Sequence, residues 1–87
     1  MKNKEQIELK CPWLVAEEGT AEVGRWLVAE AETVEIDQDI LVMLLDGEEF
    51  LLPSPVDGTI ISLLVEPGDP VGPEQALAII ELTPSAG

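Results

Sequence analysis

Residues 44–60 read LLDGEEFLLPSPVDGTI. Asp46-Gly47 stands between two apolar runs. A two-residue Asp-Gly loop suits a type I′ turn, whose central positions need positive φ, and glycine adopts that at no steric cost. The turn predicts a β-hairpin and fixes its register: Leu45 faces Glu48, Leu44 faces Glu49, Met43 faces Phe50 and Val42 faces Leu51. One face of the hairpin holds Leu41, Met43, Phe50 and Leu52, which are expected in the core. The other holds Val42, Leu44, Leu51 and Glu49, so three neighbouring aliphatic side chains are expected to face outward.

On either side of this hairpin, seven glycines and seven prolines punctuate short apolar runs, a pattern of short strands and tight turns. Strands are expected at 7–11, 21–29, 40–45, 50–52, 59–65 and 76–82. No stretch sustains a helical period, and the prolines break most candidate helices. The chain also repeats itself. An offset of 37 residues places Val28 on Val65, Val34 on Val71 and Gln38 on Gln75, with Val23 on Ile60, Leu27 on Leu64 and Ile40 on Leu77 in the same register. A duplicated unit of strand, acidic turn and strand implies a pseudo-twofold molecule. Each half closes the other's core, because neither could bury its apolar face alone. The fold class is all-β.

Eighty-seven residues make one domain, which hides roughly 60–65% of the surface its unfolded chain exposes. Lys2, Lys4, Lys10 and Arg25 oppose eighteen acidic residues, for a net charge of −14. Such a surface repels phosphate backbones and anionic lipid and favours a basic patch on a partner protein. Cys11 is the one cysteine, and its alternation with Ile7 and Leu9 predicts a buried strand residue. With no second thiol and no histidine, no metal site is expected. The adjacent pair Glu17 and Glu18 lies in a loop without a nucleophile or phosphate loop, so no catalytic residues are assigned. The N-terminal MKNKEQIELK lacks the apolar run of a signal peptide, and no segment approaches the ~20 apolar residues of a membrane span. A cytoplasmic location is expected.

Several segments together resemble the lipoyl/biotinyl carrier-domain family, its lipoyl branch more than its biotinyl one. WLVAEAETV (26–34) looks like the family's Trp-Leu-Val-x-Glu-Gly-Asp-x-Val segment, with Ala31 and Glu32 in place of glycine and aspartate. PSPVDGTI (53–60) is similar to the segment after the attachment hairpin, and VEPGDPV (65–71) to the second-half turn. EEGTAEV (17–23) is similar to a first-half loop in some 2-oxo acid dehydrogenase carrier domains. The resemblance implies a flattened β-barrel of two four-stranded antiparallel sheets, a barrel-sandwich hybrid, with the termini at one end and the 44–49 hairpin jutting from the other. It implies a domain over 7–82 with flexible tails at 1–6 and 83–87, and a strand tryptophan, Trp26, in or near the core. Trp13 falls in the opening loop and is expected to be partly exposed.

The family's cofactor-bearing lysine, counted back from the following proline, falls on Gly47. The lipoyl pattern's aspartate survives as Asp46; the lysine does not. The chain is therefore read as a stand-alone carrier-like domain without a cofactor, acting as a non-catalytic interaction or regulatory module. Its partners would be a dehydrogenase-like or carboxylase-like system, or a second copy, meeting Val42, Leu44 and Leu51. The alternative is a true lipoyl or biotin carrier modified at another site.

Overall fold

The computed structural model describes residues 5–11 and 21–83. They form eight strands: β1 (Gln6–Lys10), β2 (Ala21–Trp26), β3 (Thr33–Val34), β4 (Asp39–Leu45), β5 (Glu48–Pro53), β6 (Gly58–Leu63), β7 (Pro70–Val71) and β8 (Ala76–Leu82). Two four-stranded sheets result, in the orders β1-β8-β6-β3 and β5-β4-β2-β7. Every pairing is antiparallel. The sheets face each other across one apolar core, with Val23, Leu41 and Met43 from one and Leu9, Ile60, Leu77 and Ile80 from the other. The all-β architecture of two four-stranded sheets is as expected.

The internal repeat maps strand onto strand. An offset of 37 carries β2 onto β6, β3 onto β7 and β4 onto β8 without a gap. Even the irregularities coincide, since the register shift between Val23 and Arg25 recurs between Ile60 and Ser62. β1 is the counterpart of β5: Ile7 pairs with Ile80 as Phe50 pairs with Met43, and Glu8 with Ile79 as Leu51 with Val42. The tight turns repeat too. Gln38 bridges back to Glu35 through backbone and side chain (3.0 and 2.9 Å), and Gln75 bridges to Gly72 in the same way (3.2 and 3.0 Å).

After β2 and after β6 the chain crosses from one sheet to the other. These crossings read as strand in the sequence because they alternate: Val28 and Val65 are buried, whereas Leu27 and Leu64 are exposed. They leave the sheets after Trp26 and Leu63, so the strands expected at 21–29 and 59–65 end early. The two crossings hold each other. Trp26 Nε1 donates to the Val65 carbonyl at 3.0 Å, and Leu63 N–H donates to Glu30 Oε2 at 2.9 Å. Trp26 is half-buried against the core, as its resemblance to the family's strand tryptophan implied. β3 and β7 were not anticipated, because two residues carrying one apolar side chain each cannot show a period of two.

The hairpin and the described chain ends occupy opposite ends of the molecule. Leu82 N–H donates to the Glu5 carbonyl at 2.8 Å. Under the pseudo-twofold, Leu82 and Glu5 stand where Leu45 and Glu48 flank the Asp46-Gly47 turn.

Candidate functional site

The distal turn forms as its sequence dictates. Asp46 and Gly47 have φ of 52° and 85°, the left-handed pair that a type I′ turn needs. Leu45 pairs with Glu48, Leu44 with Glu49, Met43 with Phe50 and Val42 with Leu51, the register expected from the turn. A Cβ built on Gly47 would meet nothing within 4 Å, so the tip projects into open space. Beside it, Glu22, Leu44, Asp46 and Gly47 line an open hollow of about 350 Å³. Two carboxylates at its rim favour a cationic occupant over an anionic one.

The two faces of the hairpin depart from expectation at one residue each. Leu41 and Met43 are fully buried and Leu52 packs against the core, but Phe50 is 39% exposed and stands outside that cluster. It lies on β5, an edge strand of its sheet. On the outer face, Leu51 is 56% exposed and Leu44 half-buried, whereas Val42 is only 1% exposed and cannot present itself to a partner. Val42 sits on an interior strand, flanked in register by Arg25 and Leu51. Its Cγ1 and the Leu44 Cγ lie over Gly24, 3.3 and 3.4 Å from where a Cβ would be, so the missing side chain leaves the room they fill. Arg25 Nη1 reaches Glu49 Oε2 at 3.7 Å, an ion pair from β2 to β5 across β4. Both its members are exposed, and such a pair is worth at most about 1 kcal/mol.

Among the described residues no cluster of acidic, cysteine or histidine side chains is arranged for a metal ion, and no helix is long and apolar enough to cross a membrane. Cys11 is buried, as its alternation predicted, and burial raises its thiol pKa. Lys10 is exposed at the end of β1, in the sheet that does not contain the hairpin. Lys2, Lys4, Trp13, Glu17 and Glu18 lie outside the described residues.

A biotin–lipoyl family model, described as "Biotin-requiring enzyme", matches residues 8–80. The chain belongs to this biotin–lipoyl family. Three solved structures resemble the biotin–lipoyl domain at 18–22% identity. One is the lipoyl domain of the 2-oxoglutarate dehydrogenase complex from Azotobacter vinelandii, with a TM-score of 0.70 and 22% identity over 93% of this chain and 99% of that one. The others are a single-chain, multi-domain long-chain acyl-CoA carboxylase (TM-score 0.74, 18% identity, 93% of this chain) and the Kluyveromyces lactis urea carboxylase (TM-score 0.73, 18% identity, 92% of this chain). The domain spans only 7% and 6% of those two carboxylase chains. At these identities the likeness is one of fold. Comparison with curated protein sequences gives no match.

Proposed function

We propose that this biotin–lipoyl domain has given up covalent carriage and serves as a non-catalytic interaction or regulatory module. Its partner would be a carboxylase-like or 2-oxo acid dehydrogenase-like multienzyme assembly, engaged where a loaded carrier would dock. The observation that carries the reading is the tip of the β4–β5 hairpin. The family resemblance assigns the acceptor lysine to the position of Gly47, and glycine offers no amine. Lipoylation and biotinylation both form an amide from a side-chain amine, so neither group fits the residues at this tip. Lys10, on the other sheet, is no substitute for an arm that must swing from the distal turn. The link to carboxylase-like and dehydrogenase-like assemblies is an analogy drawn from the fold.

Intact mass after co-expression with lipoate ligase or biotin ligase tests this. Wild type is expected to keep its unmodified mass, and a gain of one lipoyl or biotinyl group would overturn the proposal. Gly47→Lys is the positive control. The tip has room for the side chain, and its positive φ costs about 1–2 kcal/mol for a residue with a Cβ. That variant is expected to gain one lipoyl group. Failure to gain it while folded would remove the assignment of the acceptor position to residue 47.

A further inference from the structure

The pseudo-twofold gives each outward-facing residue of the hairpin sheet a counterpart in the same structural place on the other sheet. Two rows of three side chains face out from each. On the hairpin sheet they are Glu22, Leu44 and Glu49, then Arg25, Val42 and Leu51. On the other sheet the same places hold Thr59, Glu81 and Gln6, then Ser62, Ile79 and Glu8. The central place of the second row is aliphatic in both, and Val42 is buried, so an apolar residue there serves the fold. The places where an aliphatic residue stands for an acidic one are Leu44 for Glu81 and Leu51 for Glu8. Leu44 fills room over Gly24, whereas nothing in the shared architecture requires Leu51.

The edge strands differ in the same sense. β1 reads Gln-Ile-Glu-Leu-Lys, with a charge in the middle of its outer face, which is how natural edges are kept from pairing with other chains. β5 reads Glu-Glu-Phe-Leu-Leu-Pro: three apolar residues in succession, with Phe50 and Leu51 exposed on opposite faces of one strand. Among the described residues no strand pairs with the far edge of β5. In a two-residue turn the Leu45 carbonyl accepts from Glu48 N–H, and bonded pairs then alternate along the ladder. The backbone groups of Glu49 and Leu51 therefore point to the open edge, and Pro53 closes it.

We infer that β5 is a strand-addition site, taking a short extended segment of another protein in which β-forming apolar residues are flanked by lysine or arginine. This deepens the interaction reading above and rests on it. Charge selects the occupant. Asp46 and Glu48 gather at the turn end of the edge beside Glu49, whose charge Arg25 partly offsets, and the whole chain carries −14. A second copy would bring the same three carboxylates and the same net charge against its partner; a basic segment meets them with opposite sign.

The probe is a blocked peptide of three valines flanked on each side by two lysines, added to the full chain and read by amide hydrogen exchange. Exchange at Glu49 and Leu51 is expected to slow by about ten-fold or more, as new ladder bonds cover those amides. A peptide of equal charge with glycines in place of the valines should give no such protection. Leu51→Glu, which copies the residue at the matching place on β1, should abolish the effect, with tryptophan fluorescence reporting that the variant is folded. Unchanged exchange at both amides, or equal protection by the glycine peptide, would refute strand addition. Protection of those amides in the chain alone, with a dimer in solution, would assign the edge to a second copy instead. None of these outcomes bears on whether a cofactor is attached.

Discussion

Ser54 is the buried polar residue among those described, and its pseudo-twofold counterpart is Cys11. The two backbones are held alike. Ser54 N–H donates to the Gln38 carbonyl at 2.8 Å and its carbonyl accepts from Asp37, while Cys11 N–H donates to Gln75 at 2.9 Å and its carbonyl accepts from Glu74 at 3.0 Å. Ser54 satisfies its hydroxyl by donating to the Val56 carbonyl at 2.6 Å. Cys11 carries a titratable thiol in the matching place, and desolvation raises its pKa. The folded state therefore holds the thiol proton more tightly than the unfolded chain does. The resulting stability is full below the unfolded thiol pKa of about 8.5 and is lost as pH rises toward the folded value, at up to about 1.4 kcal/mol per pH unit. Urea midpoints measured from pH 7 to 10 are expected to fall faster for wild type than for Cys11→Ser. Parallel profiles would show that the thiol contributes nothing to alkaline stability.

At the scale of the element, legibility depended on what a strand pattern encodes. Asp46-Gly47 fixed the hairpin and its register because a two-residue loop leaves one pairing. Alternation then told which face each side chain takes, but not how deeply it is covered. Depth depends on a strand's place in its sheet and on what lies over each residue. Val42 faces outward yet is buried, on an interior strand and over Gly24, and Phe50 faces inward yet is exposed, on an edge strand. Gly58, on β6, illustrates another feature that no periodicity reveals. A Cβ there would collide with the Glu81 carbonyl oxygen and come within 2.8 Å of Ile80 Cγ2 on β8. The carbonyl cannot retreat without parting two paired strands. Gly58→Ala is expected to destabilise the domain by about 1–3 kcal/mol, the usual cost of overpacking. Chemical denaturation measures it, and a cost below about 0.5 kcal/mol would mean that β6 and β8 separate more easily than their pairing suggests.

For the molecule as a whole, the repeat was legible from one ungapped offset, while the exchange of β1 for β5 that completes the symmetry was not. Those two strands share too little sequence: Glu8 answers to Leu51 and Lys10 to Pro53. Only the pairings with β8 and β4 show that they are equivalent. That equivalence has a consequence for connectivity. Opening the chain between Asp46 and Gly47, and joining residue 87 to residue 1, gives the strand order β5, β6, β7, β8, β1, β2, β3, β4. Turned through the pseudo-twofold, this is the original order β1 to β8, so the permuted chain meets the same topology from the other half. Leu82 and Glu5 are already hydrogen-bonded, so the new connection starts and ends in contact. A two-residue turn is replaced by a connection of residues 83–87 and 1–4. The lengthening alone costs about 1.5RT ln(9/2), or roughly 1.3 kcal/mol, with the loss of the Asp-Gly turn adding to it. The permutant is therefore expected to fold cooperatively, with the same near-ultraviolet signal from its tryptophans, at a stability lower by about 1–3 kcal/mol. A permutant that stays unfolded would show that the intact Asp46-Gly47 turn contributes more than the domain's whole margin of stability, and that the two halves, alike in register, are not alike in what their turns supply.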